Sequence, residues 1–309
     1  MATPAELVAD GGEAARSDDF FRCAEFLGAE GATHTLLVGG LAIPLIVRDD
    51  LPGGRRDAIS PYGYPGASGA ADRGPLDAAA IDWSGTGLVS MFLRERIGGA
   101  PAIAGATERS SVQVHDPARP RGVRARLAEQ IRHNERQGWT VERSTGPEAT
   151  AARRRTFADA YTETMTRAEA APRYFFGAEY LDAVLGFDRS WLLTALAPSG
   201  EPGAGAIVAA SDGLLHYFLG ATADAHLAAS PFKGVVAAML DFADELETPL
   251  NLGGGVSAGD GLERFKRGFA NAELPFRTHE LVCDPDAYRE LAGDEDAGGF
   301  FPAYRAPTN

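Results

Sequence analysis

Asn251-Leu252-Gly253-Gly254-Gly255, followed by Asp260-Gly261-Leu262-Glu263-Arg264-Phe265-Lys266-Arg267-Gly268-Phe269, decides how this chain is read. Leu250–Leu252 is a short apolar run of the kind that forms a buried strand, and the glycines after it punctuate a turn. Such glycines invite a dinucleotide-binding reading. The spacing fails, because Gly253-x-Gly255-x-x-Ala258 lacks the third glycine and no strand pattern of that fold follows. A tight turn before a loop at residues 256–261, closing over a substrate, fits better. A helix carrying Phe265 and Lys266 comes next, then a final strand at Thr278–Cys283.

Lys266 stands out for a second reason. Of 29 basic residues only Lys233 and Lys266 are lysine. A chain that uses arginine wherever a positive charge suffices keeps lysine where a compact, rotatable ammonium does what a planar guanidinium does not.

Composition sets the bounds. With 309 residues, 45% of them hydrophobic, the chain can fill one large core or two modest ones, and its length favours two. No apolar run is long enough to span a bilayer, and the first ten residues lack a basic stretch followed by an apolar one, so a cytoplasmic location is expected. Cys23 and Cys283 are far apart, which argues against a disulfide framework. A net charge of -14 excludes a protein that grips nucleic acid over a broad surface. It leaves room for a local patch on one end of a tRNA: ten arginines against four glutamates lie between Arg119 and Arg155. The plainer alternative there is a solvated helix face and a linker.

Periodicity and turn residues outline the elements. Residues 1–18 are small and acidic and are expected to fray, and Asp19–Gly28 reads as a helix. Thr33–Arg48 reads as a hairpin turning at Gly39-Gly40. Residues 76–97 suggest a helix and then strand Leu88–Leu93, and Ser111–His115 another strand. Val123, Leu127 and Ile131 recur at helical spacing, so residues 121–137 form a helix with an arginine-rich outside. The pattern then restarts with helices at 150–170 and 177–186 and strands at Trp191–Ala197, Gly205–Ser211 and Gly213–Gly220. Ser230-Pro231 opens a helix reaching Glu247, with Ser at N-cap and Pro at N1. The order implies an α/β (α+β) protein of two similar lobes joined near residues 143–150.

Several segments, in order, resemble the FemABX family. Ser60-Pro61-Tyr62-Gly63-Tyr64-Pro65-Gly66 is similar to its first-lobe SPYGYGGP loop, and Phe92-Leu93-Arg94 to the FLR strand end. Tyr161–Ala168 and Tyr174-Phe175-Phe176 are similar to the opening of its second lobe. His216–Gly220, Leu252–Gly255 and Phe265–Phe269 complete the set, spanning about residues 20 to 283. The resemblance implies two tandem N-acetyltransferase (GNAT) lobes with a cleft between them. The first would be residues 1–145 completed by 284–309, and the second, with the donor site, 146–283. It also implies a metal-free enzyme without tightly bound cofactor that transfers an aminoacyl group from aminoacyl-tRNA to an amine. The helical arm of cell-wall members is missing from the sequence pattern, so a small molecule or peptide is the expected acceptor, as in natural-product biosynthesis. The runner-up donor is acyl-CoA; a catalytically silent ligand-binding relative is the third reading, against which the intact Phe265–Phe269 element stands.

Amide formation needs a neutral amine, a held donor and a stabiliser for the tetrahedral oxyanion. The resemblance assigns Lys266 to the oxyanion, the leaving 3′-hydroxyl or a tRNA-end phosphate, with Phe265 beside it. Lys233 and Gly234 at a helix start, with Arg267, are candidates for donor phosphates; a structural helix with a solvent-facing lysine is the alternative. Ser60, Tyr62, Tyr64, Arg167, Tyr174 and Tyr217 are candidates for substrate binding. His216 and Asp260 are second-line general bases, although His216 shares its strand face with Leu214 and Phe218 and also reads as a core histidine. No His, Cys, Asp or Glu cluster has metal-ligand spacing.

Overall fold

A computed structural model describes residues 2–69, 74–255, 259–293 and 298–306. Its contacts divide the chain into two compact units, residues 1–109 with 275–309, and residues 110–274. The division differs from the expected boundary near 145 because the helix at 125–136 and the strand at 140–145 pack within the second unit.

The first unit opens with β1 (Thr3–Val8), α1 (Ala24–Ala29), β2 (His34–Val38), β3 (Leu41–Arg48), β4 (Arg56–Ile59), β5 (Ser68–Gly69), β6 (Ile81–Asp82) and β7 (Leu88–Arg94). Residues near the N-terminus do not fray: Ala5 and its neighbours pair antiparallel with β2. The hairpin turns where expected, because Gly39 and Gly40 have φ of 54° and 83°, the left-handed pair that a twisted two-residue turn requires. Two other helix expectations are corrected. Phe20–Arg22 is a 3₁₀ turn and α1 starts only after Cys23, whose sulfur accepts the Phe26 N–H. Residues 76–87 hold short 3₁₀ turns at Ala78–Ala80 and Ser84–Thr86 instead of an α-helix, the second ending at the left-handed Gly87.

The second unit comprises β8 (Thr107–His115), α2 (Ala125–Arg136), β9 (Thr140–Thr145), α3 (Ala151–Arg167), α4 (Ala178–Val184), β10 (Ser190–Leu196), β11 (Pro202–Ser211), β12 (Leu214–Thr222), α5 (Phe232–Glu245), β13 (Leu250–Gly253) and α6 (Gly261–Arg267). The strand order is β8-β13-β12-β11-β10-β9. All neighbours are antiparallel except β12 and β13. The chain then returns through β14 (Ala272–Val282) and α7 (Pro285–Ala292) to the first unit, whose strands run β6-β1-β2-β3-β4-β7-β14 with β5 on β3.

In the second unit α5 is the central helix. Val235, Val236, Met239, Leu240, Phe242 and Ala243 are buried against Leu193, Ala195, Ala206 and Val208 of the sheet. α2 lays Val123, Leu127 and Ile131 onto the same core. Phe157 of α3 lies against Gly205, the alternate position of β11 and therefore the opposite sheet face. Each fully buried aliphatic side chain stabilises the fold by about 1.5–3 kcal/mol, so this packing fixes the sheet that carries the site. Met239→Ala is expected to cost about 2–5 kcal/mol through lost transfer energy and the cavity left behind, read as a lower urea midpoint at unchanged slope.

Candidate functional site

Strands β12 and β13 part company. They pair only at Leu215–Leu250 and His216–Asn251, although β12 runs on to Thr222 and β13 to Gly253. Asn251 fixes the parting. Its side-chain oxygen accepts the Gly253 N–H at 2.7 Å, and its amide nitrogen lies 3.1 Å from His216 Nδ1. Beyond this point Gly253 takes φ of 78° and turns the chain away. On the other strand the pairing of β12 with β11 slips between Ile207 and Val208, so Phe218 is an extra residue and Tyr217 is re-aimed.

Lys266 reaches into the opening. Its Nζ donates to the Gly254 carbonyl at 2.8 Å and lies 5.4 Å from the centroid of the Tyr217 ring, within cation–π range. α6 is aimed by Asp260, which caps it by accepting the Glu263 N–H at 2.7 Å. A Cβ on Gly255 would sit 2.5 Å from that carboxylate, so the cap requires glycine there. Burial pushes the Lys266 ammonium down from 10.5 to about 8, with the nearby Asp260 charge opposing the shift. An ammonium has three donors; one is spent on Gly254, and the other two meet no hydrogen-bond acceptor among the described residues. Phe265 stands beside it, half-buried, edge-on to Phe269 at 5.2 Å and 6.4 Å from Phe232, which itself lies 5.6 Å from Tyr217. The second unit thus brings Lys266, Phe265, Asp260 and Tyr217 together.

Other candidates are placed differently. His216 is buried, with Nε2 donating to the Ser211 carbonyl at 3.2 Å and Nδ1 accepting from Asn251. Both ring nitrogens are used and solvent is excluded, so it is a positioning residue and not a general base. Asp260 spends an oxygen on the helix cap. Ser230 does not cap α5: it adopts a left-handed φ of 51°, and the N–H groups of Lys233 and Gly234 donate to Ser230 and Pro231 carbonyls. The phosphate cradle expected from free amides there is therefore not formed. Lys233 is half-buried, and burial together with the Arg126 charge lowers its affinity for a proton. Arg267 is paired with Glu263 and with Glu273 at 3.4 Å. Arg167 is paired with Asp224 and donates to the Thr222 carbonyl at 3.3 Å, tying α3 to the end of β12. Tyr174 is half-buried, under the Arg173 guanidinium at 4.9 Å, and its carbonyl accepts from the Tyr161 hydroxyl. Residues 256–258 of the expected closing loop lie outside the described residues.

In the first unit the Ser60–Gly66 loop is rigidly held. Ser60 is buried and its hydroxyl accepts the Arg94 N–H at 2.9 Å, which corrects its assignment to substrate. The Tyr62 N–H donates to Glu30, Tyr64 is wedged edge-on between Phe21 and Phe276, and buried Arg22 donates to the Pro65 carbonyl. Sequence reasoning missed the Gly254 carbonyl and Asn251, because their roles depend on the divergence of two strands.

Known proteins share this architecture. The acetyltransferase (GNAT) domain family model matches residues 121–267, the span holding both lysines. The crystal structure of FemX superposes over 93% of this chain and 99% of its own, with a TM-score of 0.60 at 11% identity. This is a GNAT-fold protein of FemX-like architecture. The same fold is shared with the L-PGS structure from Bacillus licheniformis, with a TM-score of 0.56 at 14% identity, covering 84% of this chain and 87% of that one. A C-terminal domain assigned to a lysylphosphatidylglycerol synthetase of Agrobacterium fabrum gives a TM-score of 0.61 at 14% identity, covering 90% and 93%. No curated protein matches the sequence.

The Lys266 titration has a definite sign. The folded state releases this proton near pH 8 while the unfolded chain holds it to about 10.5. Between those values the unfolded state binds more protons, so stability contributed at this site rises with pH and the burial cost is felt fully below 8. Urea unfolding of wild type and Lys266→Met is expected to shift in favour of wild type from pH 8 to 10.5. A pH-independent difference would contradict the buried ammonium.

Proposed function

We propose that this chain is an acyltransferase that forms an amide bond by moving an aminoacyl group from aminoacyl-tRNA to an amine of a small molecule or peptide. The observation that carries the reading is the Lys266 ammonium, held at the parting of β12 and β13 with two donors that meet no acceptor among the described residues. The amine attacks the ester carbonyl, a C–N bond forms, and charge builds on the carbonyl oxygen. Lys266 donates to that oxyanion, a stabilisation worth roughly 10²–10³ in rate when one donor is removed. Collapse breaks the ester C–O bond, and the proton lost by the amine ends on the departing 3′-oxygen. The likeness to FemX and L-PGS supports this donor class.

A second reading rests on the acetyltransferase family match over residues 121–267: an acyl-CoA donor at the same opening. Incubation with tRNA carrying a radiolabelled amino acid, with amine acceptors, tests the choice. RNase-sensitive transfer to the acceptor is expected, and Lys266→Ala is expected to lower kcat by about 10²–10³. Transfer from acyl-CoA alone would overturn the first reading. For an ammonium acting as donor, kcat falls as pH rises through about 8, whereas for a neutral lysine acting as base it would rise.

A further inference from the structure

The outer face of α2 has no part in the acyl-transfer site, yet its charge is unexplained by the fold. Val123, Leu127 and Ile131 pack on the core, the Arg124 N–H donates to the Gly268 carbonyl at 2.9 Å, and Asn134 donates to the Ala229 carbonyl at 2.8 Å. These contacts fix which face is turned outward. Helical spacing places Arg126, Arg132, His133 and Arg136 there with Glu129, and Glu135 borders Arg132 one turn on; all six are exposed.

Several arginines of the chain are neutralised: Arg48, Arg109, Arg121, Arg143, Arg153 and Arg167 each meet a carboxylate. Among the described residues Arg124, Arg126, Arg132 and Arg136 meet none. With 43 acidic residues in the chain, partners are not scarce. Helix stability accounts for His133 and Arg136 in the last turn of α2, and not for the cations at its start. Arg124 and Arg126 sit at the positive end of the helix macrodipole, where a cation is disfavoured.

The face also has a direction. Arg126 is close enough to Lys233 to depress its protonation, and the start of α2 abuts the end of α6, with Gly268 so close to Leu127 that a Cβ there would sit 2.5 Å from its methyl. The row of cations therefore begins beside the element bearing Lys266 and runs the length of α2, about 18 Å for a twelve-residue helix. We propose that this face binds the phosphate backbone of an RNA stem, holding the acceptor arm of the donor while its 3′ end enters the strand opening. The identity of that RNA rests on the donor reading above. Guanidiniums spread along a line suit successive phosphates and not one anion. A membrane surface would call for aromatic or aliphatic anchors among the outward residues, and Arg126, Glu129, Arg132, His133 and Arg136 offer none.

The test is binding of deacylated tRNA by fluorescence anisotropy across a salt series. It compares wild type with the triple variants Arg126→Gln/Arg132→Gln/Arg136→Gln and Arg126→Glu/Arg132→Glu/Arg136→Glu, with circular dichroism as the folding control. The expected result is at least a tenfold rise in Kd and a salt slope lower by about 2–3, near one per cation removed. The kcat/KM for full-length aminoacyl-tRNA falls with it, while that for an aminoacylated 3′-terminal dinucleotide is unchanged. Unchanged affinity and slope in both variants, or wild-type binding to anionic vesicles but not to tRNA, overturns the proposal. Wild type that binds tRNA with the expected slope but transfers nothing supports the surface and sinks the donor reading instead.

Discussion

The structure of the site depends on holding one ammonium in a partly buried place between two parting strands and a ring. Desolvation raises the energy of Lys266 in its charged form, and what offsets it among the described residues is sparse: one carbonyl, one aromatic ring and one carboxylate in the background. A larger set of partners would stabilise the charge and also occupy it. The arrangement leaves the ammonium both charged near neutral pH and under-satisfied, a state suited to meeting a charge that develops only during reaction. Arginine would not serve equally, since its planar fork spreads charge over several donors and carries a larger head into the same space.

Much of the surrounding structure follows from keeping that lysine in place. Asp260 starts α6, Gly255 gives it room, and Gly268 lets the far end of α6 approach α2. Phe265 and Phe269 anchor the inner side of α6 in the ring cluster with Phe232 and Tyr217. The Asp260–Gly268 segment is therefore a helix held from both ends, with its lysine turned toward the strands, Arg267 turned to carboxylates outside and Arg264 to the Gly259 carbonyl.

The overall architecture was legible in the sequence because it rests on periodicity: the Val123–Leu127–Ile131 stripe, the Gly39-Gly40 turn and the α5 core face all appear where spacing puts them. Lys266 is one of two lysines in the chain, and its ammonium lies where β12 and β13 part. What sequence could not show were choices made by partners distant along the chain. Arg167 looks the same to a reader whether it meets a substrate or Asp224, and Ser60 whether its hydroxyl faces a ligand or the backbone of Arg94. The N-terminal strand was hidden for the same reason: Thr3–Val8 has weak strand propensity and exists because β2 and β6 offer edges to it. Capping rules misplaced Ser230 because the loop before α5 forces it into the left-handed region.

Buried His216 bears on where the Lys266 ammonium is held. Accepting from Asn251 at Nδ1 leaves the proton on Nε2, which the Ser211 carbonyl requires. The same Asn251 uses its oxygen to stop β13 at Gly253. A neutral, fully satisfied imidazole therefore sets the residue at which two parallel strands cease to pair, and that residue determines where the Gly254 carbonyl points. Since Gly254 is the only carbonyl that Lys266 meets among the described residues, the orientation of the ammonium traces back to a buried hydrogen-bonded pair. Polar residues in this core are retained for geometry: an apolar pair of the same volume would pack as well and leave the strand opening undefined.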